Sequence, residues 1–505
     1  MLTTHQKLPS AGPRRETLRE KGQFWTPQWV AEAMVTYALR SHSDELFDPA
    51  VGAGAFFAAA KNMCRRTSRN IRLIGTEIDA LALSQAKDAG LTDDDLTGVE
   101  LRDFVLNGPD RRFPAIVANP PYIRHHRISA ETKGALKYLT KQIIGKTLDG
   151  RTGYHVFFFL KALERLSSHG RLAFIMPADT CEGVFATTLW KWVLDTYRLD
   201  AVVTFTHDAT PFPSVDTNAV IFMISAEHPR PAFQWCRCNQ PGPFLLDWVE
   251  SGFPEASNAS IFALTREVNE GLETGLSRPL QERHDGLVLG DFACTMRGVA
   301  TGSNEFFFMT AAEVAARNLP FSYFVRAIGR TRDVEGDMLT MKHLDELDAE
   351  GRPTYLLSLG STPIQNLPGS IQRYLQKGAE IGLPDRALIK QRKPWYKMEK
   401  REPPPFLFAY LGRRNTRFIR NKANAIPLTG FLCVYPREIE AEENIWLLLN
   451  HPDTIANLSR VAKSYGSGAI KVEPRALERV PLSNKALEDS GLSHLIKNEQ
   501  RRLAL

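Results

Sequence analysis

At 505 residues, with 43% hydrophobic and 24% charged side chains, the chain is long enough for two domains and apolar enough to give each a core. A net charge of +6 and a pI near 8.9 are too mild to assign a polyanionic partner from the total alone, so that assignment needs local clustering. The most apolar run, 156–160, falls far short of the roughly 20 residues a membrane span needs. The polar residues 1–21 lack the apolar stretch of a signal peptide, and Cys64, Cys181, Cys236, Cys238, Cys294 and Cys433 show no metal-ligand spacing, as in a reducing cytoplasm.

Taken in order, the first half has the pattern of an open α/β sheet. Residues 1–20 read as an arm. Phe24-Trp25-Thr26-Pro27 leads into an amphipathic helix with Val30, Ala33, Met34, Tyr37 and Ala38 on one face. Thr26 suits its N-cap and Pro27 its first helical position. Residues 45–57 then read strand, glycine turn, helix. Gly52 and Gly54 permit close backbone approach at the turn, while Phe57 replaces the third glycine of a dinucleotide fingerprint and argues against NAD. The next strand, 71–76, ends in Glu77-Ile78-Asp79, where an acid can accept both hydroxyls of a ribose. The third ends in Asp103-Phe104, where an acid can accept an exocyclic amine and a ring can cover an adenine face. Each acid singly is as readily a helix N-cap. Successive strand ends carrying such groups imply a ligand that contains ribose and adenine.

The fourth strand, 115–118, runs into Asn119-Pro120-Pro121-Tyr122 and a basic lip of Arg124, His125, His126 and Arg127. Prolines fix φ and remove backbone donors, and the residue before a proline is held extended. The strand should therefore end in a stiff corner that projects an amide and an aromatic ring. Ligands of open α/β sheets lie outside the carboxyl ends of the strands, so this corner and the nucleoside ligand share one crevice. Residues 154–166 form a helix apolar nearly all round, hence sandwiched. Strands follow at 171–176, 201–205 and 219–224. The link between the last two has no room for a crossover helix, so they should be antiparallel. That link carries Phe212 between Pro211 and Pro213, an aromatic held out on a stiff loop; a buried loop anchor is the alternative.

In this order the elements resemble the amino-methylating, S-adenosylmethionine-dependent DNA methyltransferases whose cofactor region precedes the catalytic motif and whose recognition domain follows it. The resemblance covers residues 20–226. Thr26 lies in the match to the N-terminal cofactor motif, and Asp48, Pro49 and Ala50 with Gly52 and Gly54 resemble the methionine-binding turn. Glu77 matches the ribose ligand, Ile78 the apolar residue against the cofactor adenine, and Asp103 with Phe104 the adenine clamp. Asn119, Pro120, Pro121 and Tyr122 match the catalytic tetrapeptide in its adenine form, and Phe212 falls in the target-stacking loop. The resemblance implies a class I, Rossmann-like sheet over 21–230, mostly parallel with an antiparallel last strand. It further implies methylation at N6 of an adenine flipped out of duplex DNA. The tetrapeptide alone also fits methylases of ribosomal RNA and of protein glutamine, and a catalytically dead DNA-binding homologue would keep the fold.

Pro229-Arg230-Pro231 reads as a linker, which makes 231–505 a mixed α+β target-recognition domain. Residues 297–307 and the 466–474 stretch, with Lys471, look like that domain's opening turn and closing segment. Between them, 386–422 holds twelve Lys or Arg against Glu399 and Glu402, interleaved with Trp395, Tyr396 and Tyr410. Arg392, Lys393, Trp395, Arg413, Arg414, Arg417 and Lys471, together with Arg124, His126 and Arg127, are the expected contacts to double-stranded DNA. The layout resembles modification enzymes of type II restriction systems. It implies a cytoplasmic, nucleoid-associated monomer with no membrane partner, whose cognate endonuclease acts on the same site without having to bind.

Overall fold

The computed structural model describes residues 24–41, 43–181, 184–213, 218–279, 286–409, 416–438, 441–461, 463–464 and 470–492. The chain divides into two compact units, Met1–Gln281 and Glu282–Leu505.

The first unit is built on one sheet: β1 (Glu45–Asp48), β2 (Arg72–Glu77), β3 (Val99–Leu101), β4 (Phe113–Ala118), β5 (Leu166–Pro177), β6 (Arg198–Phe205), β7 (Ala219–Ser225), β8 (Ala232–Cys238), β9 (Ala256–Ser257) and β10 (Ile261–Glu267). Their spatial order is β3-β2-β1-β4-β5-β7-β6-β8-β10-β9. The first five are parallel, and β7 slots between β5 and β6 antiparallel to both, as the short link between β6 and β7 requires. The helices used below are α1 (Gln28–Ala38), α2 (Ala55–Thr67), α3 (Ala130–Ile144), α4 (Tyr154–Glu164), α5 (Phe244–Glu250) and α6 (Val268–Thr274). They cover the sheet on both faces, which is why its central strands are apolar without alternation. Along β4, Ala115 and Val117 enter one core with α1, α2 and α5, while Ile116 and Ala118 enter the other with α4.

The domain boundary expected at 230 lies instead near 281. Beyond β7 the chain adds β8 parallel to β6, then β10 and β9, so Pro229-Arg230-Pro231 is a turn between strands of one sheet. Helix α5 sends Leu245, Leu246, Trp248 and Val249 into the core that also holds α1. That cover explains why nine of the eleven residues of α1 are buried, where the spacing suggested a single apolar face. The N-cap of α1 is Pro27, without a side-chain bond, so the capping role expected of Thr26 is not the one it has.

A buried guanidinium closes the added strands. Arg266 on β10 donates through Nε and Nη2 to Glu270 at 2.8 and 2.7 Å, through Nη2 to Thr274 Oγ1 at 2.7 Å, and through Nη1 to the carbonyls of Gly275 and Arg278. Replacing Arg266 with Met would leave Glu270 and these carbonyls without their donor. We expect a loss of about 3 kcal/mol, the low end for breaking a buried pair because Glu270 keeps some solvent. Urea unfolding checks this, and an unchanged midpoint would refute it.

The second unit holds two principal sheets. One has five strands in the order Ala293–Arg297, Leu432–Pro436, Phe406–Ala409, Arg417–Asn421 and Met338–Leu339; the other has four. Helices pack against both, giving the expected α+β mixture. Among the described residues no helix is long and apolar enough to cross a membrane, and no cluster of His, Cys, Asp or Glu could hold a metal ion.

Candidate active site

Because β1, β2, β3 and β4 are parallel, they deliver Asp48, Glu77, Asp103 and Asn119 to the same edge of the sheet. There Glu77, Asp103 and Asn119 border a cavity of about 720 Å³, lined also by the turn 49–53, by Ile78 and Phe104, and by Tyr154, with Asp48 buried behind the turn. The volume suits one nucleoside-sized ligand.

The turn after β1 is held by carboxylates. Gly52 and Gly54 lie at φ +55° and +75°, in the left-handed region, and a Cβ at Gly54 would meet Leu91 at 2.3 Å. Glu77 is buried. Its Oε2 accepts the Gly52 N–H at 2.8 Å, and its Oε1 accepts those of Ile78 and Asp79, each at 2.8 Å. Three of about four lone-pair sites on the carboxylate are thus occupied by backbone. One remains for a ligand, where the sequence suggested that both ribose hydroxyls would find an acceptor. Ile78 beside it is 74% exposed, an apolar face offered to the cavity.

Asp48 is fully buried. Oδ1 accepts the Ala50 N–H at 2.9 Å, and Oδ2 has no partner. Burial pushes its pKa up to about 8, opposed by the Ala50 N–H and reinforced by Glu77. A carboxyl whose folded value is raised binds its proton more tightly in the folded chain. Its stability contribution is greatest below the unfolded value near 4, falls as pH rises to about 8, and is flat above. The stability of the wild type relative to Asp48→Asn should therefore decline between pH 5 and 8, by up to about 4 kcal/mol. Urea titrations at the two pH values test this, and a pH-independent difference would contradict it.

Asp103 is both things its position allowed. Oδ1 caps the helix Phe104–Asn107 by accepting from Val105 and Leu106, and Oδ2 accepts the Tyr154 hydroxyl at 3.1 Å at the cavity wall. Phe104 is buried between Phe47 and Phe158, with ring centroids 5.6 Å from each, and lines the cavity from within the core.

At the corner, Asn119 Nδ2 donates to the Phe24 carbonyl at 2.7 Å and to Thr26 Oγ1 at 3.1 Å. A carbonyl can only accept, so these contacts fix which end of the amide is nitrogen. Oδ1 is left as the uncommitted acceptor of a side chain that lines the cavity. Thr26 thus spends its hydroxyl on orienting Asn119. Tyr122 donates its hydroxyl to the Ile175 carbonyl at 3.1 Å, which pins the ring.

Phe212 takes the alternative left open for it: it is buried, at 4% exposure, as a loop anchor rather than held out on its loop. Its ring lies 6.0 Å from Phe24 and 6.4 Å from Tyr122, and Phe24 lies 5.7 Å from Tyr122. The three rings close a triangle. A base can enter between Tyr122 and Phe212 only if it opens.

Sequence reasoning missed His155. It is buried with neither ring nitrogen bonded, 5.9 Å edge-on from Tyr122, and its Nε2 is 4.0 Å from Asp179. Burial lowers its pKa, so it stands beside the corner as a neutral imidazole. A lone histidine in an apolar helix gives no signal that could have singled it out.

The distal cations divide. Arg413, Arg414 and Tyr410 lie outside the described residues, and for Lys471 only the backbone is described. Arg392 donates to the Ala300 carbonyl at 2.6 Å and Arg417 to the Gly336 carbonyl at 2.7 Å; Arg420 forms two bonds with Glu443. Trp395 packs on Phe306 and Phe307 and Tyr396 is buried, so these aromatics belong to the core rather than to a binding face. Lys390, Lys393, Lys397 and Lys400 remain exposed. In the first unit, Arg124 and His126 are exposed on the lip, while Arg127, expected on DNA, borders the cavity.

Residues 14–231 match the family model described as N-6 DNA Methylase, and residues 270–504 match the C-terminal domain of Type II methyltransferase M.Eco57I. Type II methyltransferase M.AccI of Acinetobacter calcoaceticus is 25% identical over 492 residues, covering 96% of this chain and 89% of that protein. Type II methyltransferase M.XamI of Xanthomonas campestris pv. amaranthicola is 24% identical, covering 94% and 88%. Among solved structures, the Type IIL restriction-modification enzyme MmeI in complex with DNA aligns with a TM-score of 0.53 at 13% identity. It covers 94% of this chain but 64% of that one, so this chain spans less than two thirds of its length, and the likeness is one of fold.

Proposed function

We propose, from the premise that the chain belongs to the N-6 DNA methylases over residues 14–231 and to the type II methyltransferases over 270–504, that it transfers a methyl group from S-adenosylmethionine to N6 of an adenine flipped out of duplex DNA. In this reading it is the modification enzyme of a type II restriction system, acting as a monomer while a separate endonuclease cuts unmodified sites. The observation that carries the chemistry is the Asn119 amide, whose nitrogen is tied to Phe24 and Thr26 so that its oxygen is presented as an acceptor at the cavity.

The residues present fit the cofactor: an exposed apolar Ile78, a buried Asp48 with an unpartnered oxygen beneath the glycine turn, and Glu77 with one acceptor site left. S-adenosylmethionine supplies a sulfonium methyl that is already electrophilic, so no covalent enzyme intermediate is required. The difficulty lies in the acceptor, because the N6 lone pair of adenine is delocalised into the ring. Asn119 Oδ1 and the Pro120 carbonyl accept hydrogen bonds from the two N6 hydrogens and favour a tetrahedral nitrogen with a free lone pair; as the N–C bond forms the S–C bond breaks, and one N6 proton is then lost to solvent. Asn119 Oδ1 is set before the base arrives by the bonds of its amide nitrogen to Phe24 and Thr26, which is where preorganisation gains rate. Tyr122, held by its hydroxyl, stacks on the base and favours the developing positive charge by about 1–2 kcal/mol.

Long-read sequencing of DNA from a host expressing the chain tests the reading. N6-methyladenine at one recurrent motif is expected; unmodified DNA, despite S-adenosylmethionine binding, would overturn it. Phe212 is given the second face of the base. Losing that stacking costs about 1–3 kcal/mol, so Phe212→Ala should lower turnover at least fivefold and raise the fluorescence of a 2-aminopurine target. Unchanged turnover and fluorescence would remove that role.

A further inference from the structure

Helix α3 follows the catalytic corner and is oriented by its buried face, Leu136 and Thr140, with Leu139, Ile143 and Ile144 packed partly against the core. Lys133, Lys137 and Lys141 recur at i, i+4 and i+8 and so share one stripe on its flank. Lys137 and Lys141 are exposed and Lys133 is half-buried. On a solvated helix such lysines are commonly balanced by acids one turn away, and like charges at that spacing cost about 0.2–0.5 kcal/mol per pair. Here none of the three has an ion-pair partner among the described residues, and the same holds for Arg124 on the lip and for Lys146 past the helix end. Residues 124–151 carry seven Lys or Arg against two acids, Glu131 and Asp149, and Arg151 occupies Asp149 with bonds of 2.8 and 2.9 Å. The N-terminal end of the stripe lies near the lip: besides burial, His126, Lys133 and Arg151 depress the pKa of His125, with Asp149 acting against them. In the second unit Arg392, Arg417 and Arg420 are bound to carbonyls or a carboxylate, while Lys390, Lys393, Lys397 and Lys400 are exposed.

The N-terminal turn of α3 borders the cavity through Ser129 and Thr132, so the stripe begins beside the site and runs away from it. At 1.5 Å per residue, Lys133 to Lys141 spans about 12 Å, over which one DNA strand presents about three or four phosphates. We propose that this flank of α3 is a DNA-contacting surface of the catalytic unit, gripping the phosphate backbone next to the flipped adenine. The proposal rests on the function given above and adds residues that no recognition-domain resemblance points to.

The experiment is equilibrium binding of the full chain to a duplex across a salt series, for wild type and for Lys133→Gln/Lys137→Gln/Lys141→Gln. Each phosphate contact adds about 0.9 to the slope of log affinity against log salt. The triple variant should lose about 2–3 from that slope and bind more weakly at low salt. Its S-adenosylmethionine affinity should be unchanged, since none of the three lysines lines the cavity; that measurement also reports that the variant is folded. Wild-type slope and affinity in a variant that binds the cofactor would overturn the proposal and leave the stripe to an acidic protein partner. A wild-type chain that binds the cofactor but no duplex would instead overturn the function on which it rests.

Discussion

Asn119→Ala is expected to lower methyl transfer by at least 10³-fold while duplex binding stays within a few-fold of wild type. The side chain makes two kinds of contact. Its nitrogen bonds to Phe24 and Thr26, and its oxygen is the acceptor offered to the substrate amine. Removing one preorganised polar group from such a site costs about 10²–10³ in turnover. Alanine also releases the 24–26 segment, whose Phe24 ring is part of the aromatic triangle. Single-turnover assays with saturating DNA isolate the chemical step, and near wild-type rates would end the assignment. Asn119→Asp refines the point. It keeps an acceptor, but puts a carboxylate oxygen against the Phe24 carbonyl where the amide donated at 2.7 Å. That repulsion turns the group, and a misplacement of about 1 Å is worth about 10² in rate. Thr26→Val leaves the Phe24 bond in place and should cost about tenfold or less, near 1 kcal/mol for one hydrogen bond. If Asp and Val were equally mild, the amide orientation would not be what matters.

What could be read ahead of the structure follows from how locally each feature is encoded. The strand ends were legible because apolar runs stop at Asp48, Glu77 and Asn119 and the short third strand gives way to Asp103, and parallel pairing then puts all four on one edge. The boundary was not, since Pro229-Arg230-Pro231 has the same local chemistry whether it links domains or turns between β7 and β8; only the pairing of β8 with β6 decides. Nor can a sequence tell whether an aromatic among lysines faces outward. Trp395 and Tyr396 face the core, set there by Phe306 and Phe307 from a distant segment. Phe212 stays open in the sequence for a related reason: a ring between two prolines is as readily projected as anchored, and only the apolar cover of Phe24 and Tyr122 decides for the anchor. The lysines of α3 recur at helical spacing, yet their lack of acids in reach becomes visible only in three dimensions.

Glu77→Gln, a change of one atom type, is expected to weaken S-adenosylmethionine binding by at least about 100-fold. The reason is the count of donors around the carboxylate. Gly52 reaches Oε2, while Ile78 and Asp79 both reach Oε1. A glutamine has one acceptor oxygen. Whichever way the amide turns, its NH2 faces either the Gly52 N–H or the pair from Ile78 and Asp79, and a donor then meets a donor in a buried place. Turned so that the oxygen keeps Ile78 and Asp79, the amide pushes on Gly52, which sits at φ +55° in the turn lining the cavity. Losing one hydrogen bond to a charged group is worth about 1.5–3 kcal/mol, and the stranded N–H adds its own desolvation cost. Together these reach about the 2.7 kcal/mol that corresponds to 100-fold. Glu77→Asp keeps the charge but withdraws it by one methylene, so it should fall between wild type and Gln. Calorimetric titration with S-adenosylmethionine and with S-adenosylhomocysteine checks the series, and both ligands should weaken in parallel because the defect lies in the turn rather than at the methyl group. Wild-type affinity in Glu77→Gln would mean that the carboxylate does not organise the turn. A loss confined to S-adenosylmethionine would mean that Glu77 senses the sulfonium charge directly.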